Sequence, residues 1–320
     1  MDRIWTVKPE LAPANIIDAW RRIHEQYSVF ASPFLGPEYA RLVARCRADT
    51  ELAVLESKGN AIGFFAYERC GPKAGRPIGS IFCDYQAVVA PPLAYWSTNE
   101  LLQACDLDEL SFDHWLGVQP QMLPFTRLMD VSWAIDLTEG FSKYDHRMSA
   151  AGRGQLMEAR RKERKLQDAV GLVRFEADLP DRDLLDLLLK WKGRQWALSG
   201  WSGRFEQEWE RRLMRELLLS RGEGFGGLLS VLFAGDVPVA LHLGLRSRTV
   251  WHYWTTAYDP DYRRYSPGII MLVHMAQAAE RLGLQQIDMG KEAFEYKMRF
   301  ATHHVPVIEG RATRCRAEGL

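Results

Sequence analysis

Short apolar runs separated by turn residues recur along the chain and predict antiparallel strands. Near the N-terminus, ELAVLESKGNAIGFFAYERC (51–70) has β-favouring residues on both sides of 58–60, which predicts a hairpin with Gly and Asn in its turn. In the second half, a longer β-favouring run (225–260) is interrupted at 234–236 and again at 246–248. This pattern predicts a meander of three antiparallel strands.

Each of these strand regions is followed by a helix-like segment and then by one short strand. In the first half the segments are STNELLQACD, with Ser97 or Thr98 as N-cap, and ELSFDHWLG. In the second half they are SPGIIMLVHMAQAAERLG and QQIDMG. The shared order predicts an α/β (α+β) protein in which one module is used twice, each copy a mixed, mostly antiparallel sheet flanked by helices.

A basic segment lies between the two halves. Residues 155–169 are helical by propensity and rich in Arg and Lys. We therefore divide the chain into an N-terminal module (1–142), a basic connecting helix (143–172) and a C-terminal module (173–320). The basic side chains either form a solvated face paired with acidic neighbours on the helix, or line a substrate groove. They are Arg160, Arg161, Lys162, Arg164 and Lys165.

Composition narrows the classes of partner. The 320 residues include 41 basic and 41 acidic side chains, so net charge favours neither a nucleic acid nor an anionic membrane as the main partner. The N-terminus has no signal-peptide pattern and no window is apolar enough to span a bilayer. We expect a cytoplasmic protein. Its five scattered cysteines, which we expect to be reduced thiols, are Cys46, Cys70, Cys83, Cys105 and Cys315.

Several tryptophans flank a loop that contains Ser and Gly, in WKGRQWALSGWSGRFEQEW (191–209). Aromatic rings beside a polar loop either bind sugars or acyl chains, or simply pack, and we favour core and lid packing here. The four residues are Trp191, Trp196, Trp201 and Trp209.

The start of the apolar helix in the second half has features of an anion site. Ser266 precedes Pro267, which predicts an N-cap followed by proline at the first helical position. Gly268 leaves room for a ligand beside the first turn, where unpaired amides and the helix dipole attract negative charge. Arg263 and Arg264 lie just upstream and suit a pyrophosphate or a 3′-phosphate. The alternative is an ordinary capped helix with two exposed arginines.

These residues resemble a known motif. The stretch from Pro260 to Gly268 follows the pattern P-x-x-R-x-x-G-x-G of the GNAT superfamily of acyl-coenzyme A N-acyltransferases, with Ser266 at the first glycine position. The tail GKEAFEYKMRF is similar to that of tandem-GNAT proteins, including the CelD-like acetyltransferases of cellulose or polysaccharide biosynthesis. The two-module layout also looks like that of the FemABX peptidyltransferases, which use aminoacyl-tRNA.

The resemblance implies how an acyl-coenzyme A co-substrate is bound. In GNAT proteins the strand before the loop splays from its neighbour and binds the pantetheine arm through its free edge, and no metal is involved. Thr256, Ala257 and Tyr258 occupy those strand positions here. The loop itself contributes Arg263, Arg264, Tyr265, Ser266, Pro267 and Gly268.

The resemblance also implies an acid and a base. Tyr296 is the candidate acid for the departing thiolate, although its spacing to Phe300 departs by one residue from the usual pattern. The base that deprotonates the amine is Glu295, which we favour, or one of the alternatives: Glu292, Asp288 and His252. Asp288 ends a strand, where a buried carboxylate tends to have a raised pKa.

Three functions follow as hypotheses. The first is an N-acyltransferase that acts on an amino sugar, an amino acid or a similar small amine, with a degenerate N-terminal module that shapes the substrate groove. The second is a FemABX-like transferase that uses aminoacyl-tRNA and docks it on the basic helix. The third is a module that binds coenzyme A but has lost turnover. The reason for this hypothesis is Ser266, whose side chain would crowd the phosphates where the motif usually has glycine.

Overall fold

The hairpin and the meander predicted from the sequence are present in the computed structural model, which describes residues 1–198, 205 and 207–314. Trp201 and Cys315 lie outside these residues. The first hairpin turns at Lys58 and Gly59, which have φ of 50° and 74°. Two successive residues with positive φ match the twist of paired strands, so the turn fixes the hairpin register. Gly235, with φ of 59°, turns the first hairpin of the meander.

The described residues contain the following helices and strands. The first part of the chain forms β1 (Arg3–Val7), α1 (Ala14–Gln26), α2 (Pro37–Cys46), β2 (Thr50–Ser57), β3 (Asn60–Arg69), β4 (Ala74–Pro77), α3 (Thr98–Ala104), β5 (Glu109–Leu116) and β6 (Thr126–Asp136). The middle part forms α4 (Phe141–Ala150), α5 (Gln155–Val170), β7 (Val173–Glu176), α6 (Arg182–Leu198) and α7 (Glu208–Leu219). The last part forms β8 (Phe225–Ala234), β9 (Val237–Ser247), β10 (Val250–Tyr258), α8 (Pro267–Ala279), β11 (Gln286–Asp288), α9 (Glu295–Phe300) and β12 (His303–Thr313).

The chain folds into two compact units. The first contains 1–132 and the returning segment from Val305, and the second contains 133–304. In the first unit the strand order is β1-β2-β3-β4-β5-β12, with β4 and β5 as the parallel pair. Its core contains the stacked rings of Phe65 and Tyr67, whose centroids are 5.7 Å apart, and the buried Trp115.

The second unit repeats this order. Its strands follow the sequence β7-β8-β9-β10-β11-β6, and β10 and β11 form the parallel pair. In both units an antiparallel meander leads into a helix and then into the parallel strand, as the sequence predicted. The predicted fold class, a mixed and mostly antiparallel sheet flanked by helices in two modules, is confirmed.

Helix α8 forms the centre of the second core. Nine of its residues are buried, including Ile270, Met271 and Leu272. Burying an aliphatic side chain of this size stabilises the fold by roughly 1.5–3 kcal/mol. None of the helices in the described ranges is long and apolar enough to cross a membrane.

The two units do not follow the predicted bounds at 142 and 172. The basic helix α5 belongs to the second unit, where Glu163 Oε1 lies 2.9 Å from His274 Nε2 of α8. Strand β12 pairs with β5 in the first unit, from Val307 opposite Leu116 to Thr313 opposite Glu109. The roles predicted for the two modules are not decided by this division and stay predictions.

Candidate active site

Strands β10 and β11 separate after three residue pairs. Val250 lies opposite Gln286, and the parallel pairing ends at His252 opposite Asp288. β10 continues to Tyr258, and its pairing with β9 shifts register just beyond His252. In the described residues, therefore, no strand pairs with the β11 side of β10 beyond His252. The splayed strand that the motif implies is present.

One carbonyl group on this strand already has a partner. The Nζ of Lys192, from α6, donates to the Thr256 carbonyl oxygen at 3.1 Å and lies 5.3 Å from the centre of the Trp196 ring. Ala257 is buried and Tyr258 is exposed. A ligand that paired with this edge would therefore displace or share the Lys192 contact, which the sequence did not predict.

The loop after β10 brings the chain to the start of α8. Pro260–Tyr265 forms a 3-10 turn, and Ser266 follows with φ of 52° and ψ of 57°. Pro267 is the first residue of α8, as predicted. The predicted capping hydrogen bond of the Ser266 side chain is absent. An N-cap residue normally has extended backbone angles, whereas Ser266 is left-handed and its side chain contacts another helix instead.

That contact is with Lys162 of the basic helix α5. The Lys162 Nζ lies 3.0 Å from Ser266 Oγ and 3.2 Å from Glu158 Oε1. Arg263 and Arg264 are exposed, and within the described part of the chain neither forms an ion pair. Lys162 thus adds an unpredicted cation at the start of α8 to the two predicted arginines that precede it in the loop.

The first turn of α8 has room for a ligand. A Cβ atom at Gly268 would meet only the Tyr253 hydroxyl at 3.9 Å and the Tyr258 ring at 4.0 Å. The N–H groups of Ile269 and Ile270 donate to the Ser266 carbonyl at 2.9 and 3.3 Å. Among the amides of this turn in the described structure, the Gly268 N–H is left for a ligand, at the positive end of the helix dipole.

Two tyrosines lie close to this turn. The Tyr253 hydroxyl donates to the Gly268 carbonyl at 3.4 Å, and burial raises the pKa of Tyr253 to about 12. Burial raises the pKa of Tyr296 well above its usual value, and nearby Tyr253 and Glu292 add to this shift. The structure therefore places the predicted acid Tyr296 near Tyr253, and both phenols stay protonated at neutral pH.

The carboxylates proposed as bases lie in different environments. Glu295 is 82% exposed and 3.7 Å from Arg299, and Glu292 is exposed with φ of 81°. Asp288 is buried, accepts the Gly290 N–H at 2.8 Å and lies 3.5 Å from Nδ1 of the buried His252. The structure thus brings two of the four candidates, Asp288 and His252, together.

A third buried group near the site was not predicted. His242 of β9 is opposite Thr256 and stacks on Tyr253, with ring centres 4.8 Å apart. Burial, with a further contribution from His252, lowers the pKa of His242 to about 3. Alternation along β9 places His242 on the opposite face from Leu241 and Leu243, so neither its burial nor its stacking partner could be predicted from the sequence. Within the described residues no cluster of three or more His, Cys, Asp or Glu side chains could hold a metal ion.

A comparison with protein families identifies the class of the second unit. Residues 153–298 match the acetyltransferase (GNAT) domain family. The region includes α5 with Lys162 and the whole of the splayed strand and loop. The predicted superfamily and the general activity of an N-acyltransferase are confirmed. No curated protein is similar enough to the chain to count as a match.

Solved structures share the fold over nearly the whole chain. A tandem GNAT protein from the clavulanic acid biosynthesis pathway is 9% identical and covers 99% of both chains, with a TM-score of 0.57. FemX is 9% identical and covers 94% of this chain and 96% of its own, with a TM-score of 0.58. The C-terminal domain of a putative lysylphosphatidylglycerol synthetase from Agrobacterium fabrum is 15% identical over 94% of this chain and 92% of its own, with a TM-score of 0.57. At these identities the similarity shows the fold alone.

Proposed function

We propose that the second unit binds acyl-coenzyme A and transfers its acyl group to the amine of a small acceptor such as an amino sugar or an amino acid. One observation carries this proposal: β10 continues past the end of β11 and leads, through a loop that carries Arg263 and Arg264, into a helix start beside Lys162. An extended ligand can add to a free strand edge, and a diphosphate can be held where that edge reaches the helix.

The charges suit the diphosphate of coenzyme A. Arg263 and Arg264 are exposed, and Lys162 is half-buried beside Ser266. A charge-assisted hydrogen bond contributes roughly 1.5–3 kcal/mol, so three of them supply about 4.5–9 kcal/mol, a range that includes the roughly 8 kcal/mol of micromolar binding. The predicted cofactor-binding residues of strand and loop keep their proposed roles, and Lys162 joins them.

The chemistry requires three proton movements. A base removes a proton from the ammonium group, and the neutral amine attacks the thioester carbonyl to form a C–N bond. When the C–S bond breaks, Tyr296 donates its proton to the departing thiolate, and the second proton that the nitrogen loses as the amide forms returns to the Tyr296 phenolate. Asp288 with His252 is better placed than Glu295 for a base, because both groups are buried and only 3.5 Å apart, whereas the Glu295 carboxylate is in solvent. Glu295 remains the alternative.

Binding is tested by isothermal titration with acetyl-coenzyme A. Wild type should bind, and Gly268→Trp should not, because an indole would fill the space beside the first turn of α8. Gly268→Ala is the matched control, since its Cβ would make only contacts of 3.9 Å and longer. This site is ruled out if none of the three proteins shows heat of binding with acetyl-coenzyme A, or if Gly268→Trp and wild type give the same heat.

Turnover is tested separately. Thiol release from acetyl-coenzyme A should depend on an added amine, and glucosamine and the free amino acids form the first panel. Binding without thiol release on this panel would favour the non-catalytic module instead. We further propose that the protein acts in the cytoplasm, where acyl-coenzyme A is available.

A second candidate is a tRNA-dependent transferase, favoured by one feature of α5. Arg161, Arg164 and Lys165 are exposed and, in the described structure, form no ion pairs. A polyanion could dock on this face. This function predicts that the affinity for aminoacyl-tRNA falls steeply between 50 and 200 mM salt. For several phosphate contacts the expected loss is on the order of 10³-fold.

A further inference from the structure

The first unit contains a cavity of about 510 Å³ that the proposed function does not use. Its size lies within the range of small-molecule sites, roughly 300–1,000 Å³. All the residues that line it belong to the first unit, and they come from β4, β5, β12 and the segments beside them.

The cavity arises because a parallel strand pair separates early. β4 and β5 pair only at Ala74 opposite Glu109 and Gly75 opposite Leu110. Further along β5, the segment around Gln86 pairs with Trp115 instead. The Gln86 side chain donates to Asp113 Oδ1 at 2.6 Å and accepts the Asp113 N–H at 3.0 Å, which closes the gap at that end. The same kind of strand separation forms the candidate active site of the second unit.

The lining combines cations with apolar groups. Arg76, Arg127 and Arg311 line the cavity with the carboxylates of Asp113 and Glu309, a net charge of about +1. The apolar part consists of Pro77, Ile81, Phe112 and Phe125. Such a surface suits a molecule with an anionic group and an apolar body.

The arginines retain donors for a ligand. Arg76 is held through its Nε by the buried Glu68 at 2.5 Å. Arg127 lies 2.5 Å from the Glu309 carboxylate, and its side chain is 80% exposed. Arg311 lies 3.2 Å from the Glu109 carboxylate, and its side chain is 63% exposed. A guanidinium has five N–H donors, so these contacts leave several on each side chain.

The first unit lacks the anion cradle of the second. Its helix α3 is capped by Ser97, whose Oγ accepts the Glu100 N–H at 3.2 Å and donates to the Glu100 carboxylate at 3.0 Å. The equivalent Ser266 leaves its helix start uncapped. A carboxylate at the start of α3 would repel a diphosphate, so the ligand of the first unit differs from coenzyme A.

We propose that this cavity binds a small organic anion with an aromatic or aliphatic body, as a second ligand site of the protein. The guanidinium groups of Arg127 and Arg311 pair with the anionic group, and Phe112 and Phe125 contact the body. This proposal does not depend on acyl transfer in the second unit.

The test uses the full chain and the fluorescent anion 1-anilinonaphthalene-8-sulfonate. Wild type should bind it saturably, and octanoate should displace it, whereas the neutral octanamide should not. The double variant Arg127→Gln/Arg311→Gln should weaken binding at least tenfold. Ser111→Phe, which places a ring in the cavity, should weaken it to a similar degree.

Arg22→Gln is the matched control, because Arg22 is an exposed arginine of α1 in the same unit. It should bind as wild type does, and thermal unfolding should show that all variants fold. The proposal is overturned if wild type shows no saturable binding, if both cavity variants bind as wild type does, or if octanamide competes as well as octanoate.

Discussion

The Lys162 Nζ lies 3.0 Å from the Ser266 Oγ, across 104 positions of sequence. The contact joins the basic helix α5 to the left-handed residue where the GNAT motif usually has glycine. It gives the serine a partner and places a third cation beside the start of α8. In the proposed complex, the serine that was expected to crowd the phosphates would therefore bring a positive charge to them.

The first prediction concerns Lys162. Replacing Lys162 by Met keeps an unbranched side chain of similar size but removes its charge, and we expect the dissociation constant for acetyl-coenzyme A to rise about tenfold or more. Titration calorimetry measures this change. Lys165→Met is the control, since Lys165 is exposed on the same helix. Equal affinities in the two variants would show that Lys162 does not touch the phosphates.

The second prediction concerns Ser266 and its backbone. A non-glycine residue in the left-handed region costs about 1 kcal/mol, which glycine avoids. The free energy of unfolding should therefore be about 1 kcal/mol higher for Ser266→Gly than for Ser266→Ala. Both variants lose the Lys162 contact, but only alanine keeps the cost of the left-handed backbone. Urea unfolding measures the difference. A greater stability of Ser266→Ala would mean that residue 266 does not adopt the left-handed conformation in solution.

Much of the site could be predicted from local sequence. The order of turn, strand, loop and helix from Gly235 to Gly268 depends on residues that are close in the chain, and proline and glycine fix where the elements begin. The predicted start of α8 at Pro267 was right for this reason. Ser266 is the N-cap residue, as predicted, but its side chain makes no capping hydrogen bond, because the residue is left-handed and its hydroxyl contacts Lys162 instead.

Long-range contacts could not be read from the sequence. Lys192 reaches Thr256, and Tyr253 stacks on His242, only because strand register and helix packing bring them together. The same limit applies to β12, which pairs in the first unit although it ends the described chain. Charge patterns identified α5 as basic but did not show which of its five cations faces the loop.

The third prediction concerns the acid. Tyr296→Phe should lower kcat by about 10²-fold and leave the KM for acetyl-coenzyme A nearly unchanged, because in the proposed mechanism the phenol protonates the departing thiolate and does not bind the substrate. Steady-state assays of thiol release measure both constants. Tyr95→Phe, at an exposed position of the first unit, should have no effect. A rise in KM with unchanged kcat would assign Tyr296 to binding.

The last prediction concerns the buried His242. Its pKa is about 3 in the folded protein, where burial opposes the charge, and about 6.5 in the unfolded chain. Protonation therefore favours unfolding: the contribution of His242 to stability is complete above pH 6.5 and is lost as pH falls toward 3. The loss is about 1.4 kcal/mol per pH unit, or about 2 kcal/mol by pH 5.

His242→Phe removes the titrating group and keeps a ring to stack on Tyr253. Between pH 7.5 and 5.0, the free energy of unfolding measured in urea should fall by about 2 kcal/mol less in this variant than in wild type. His146→Phe, at an exposed histidine, should follow wild type, since this side chain lies in solvent in the folded protein as well as in the unfolded chain. If the free energy of unfolding depends on pH in the same way in His242→Phe and in wild type, water must reach the His242 ring in the folded protein.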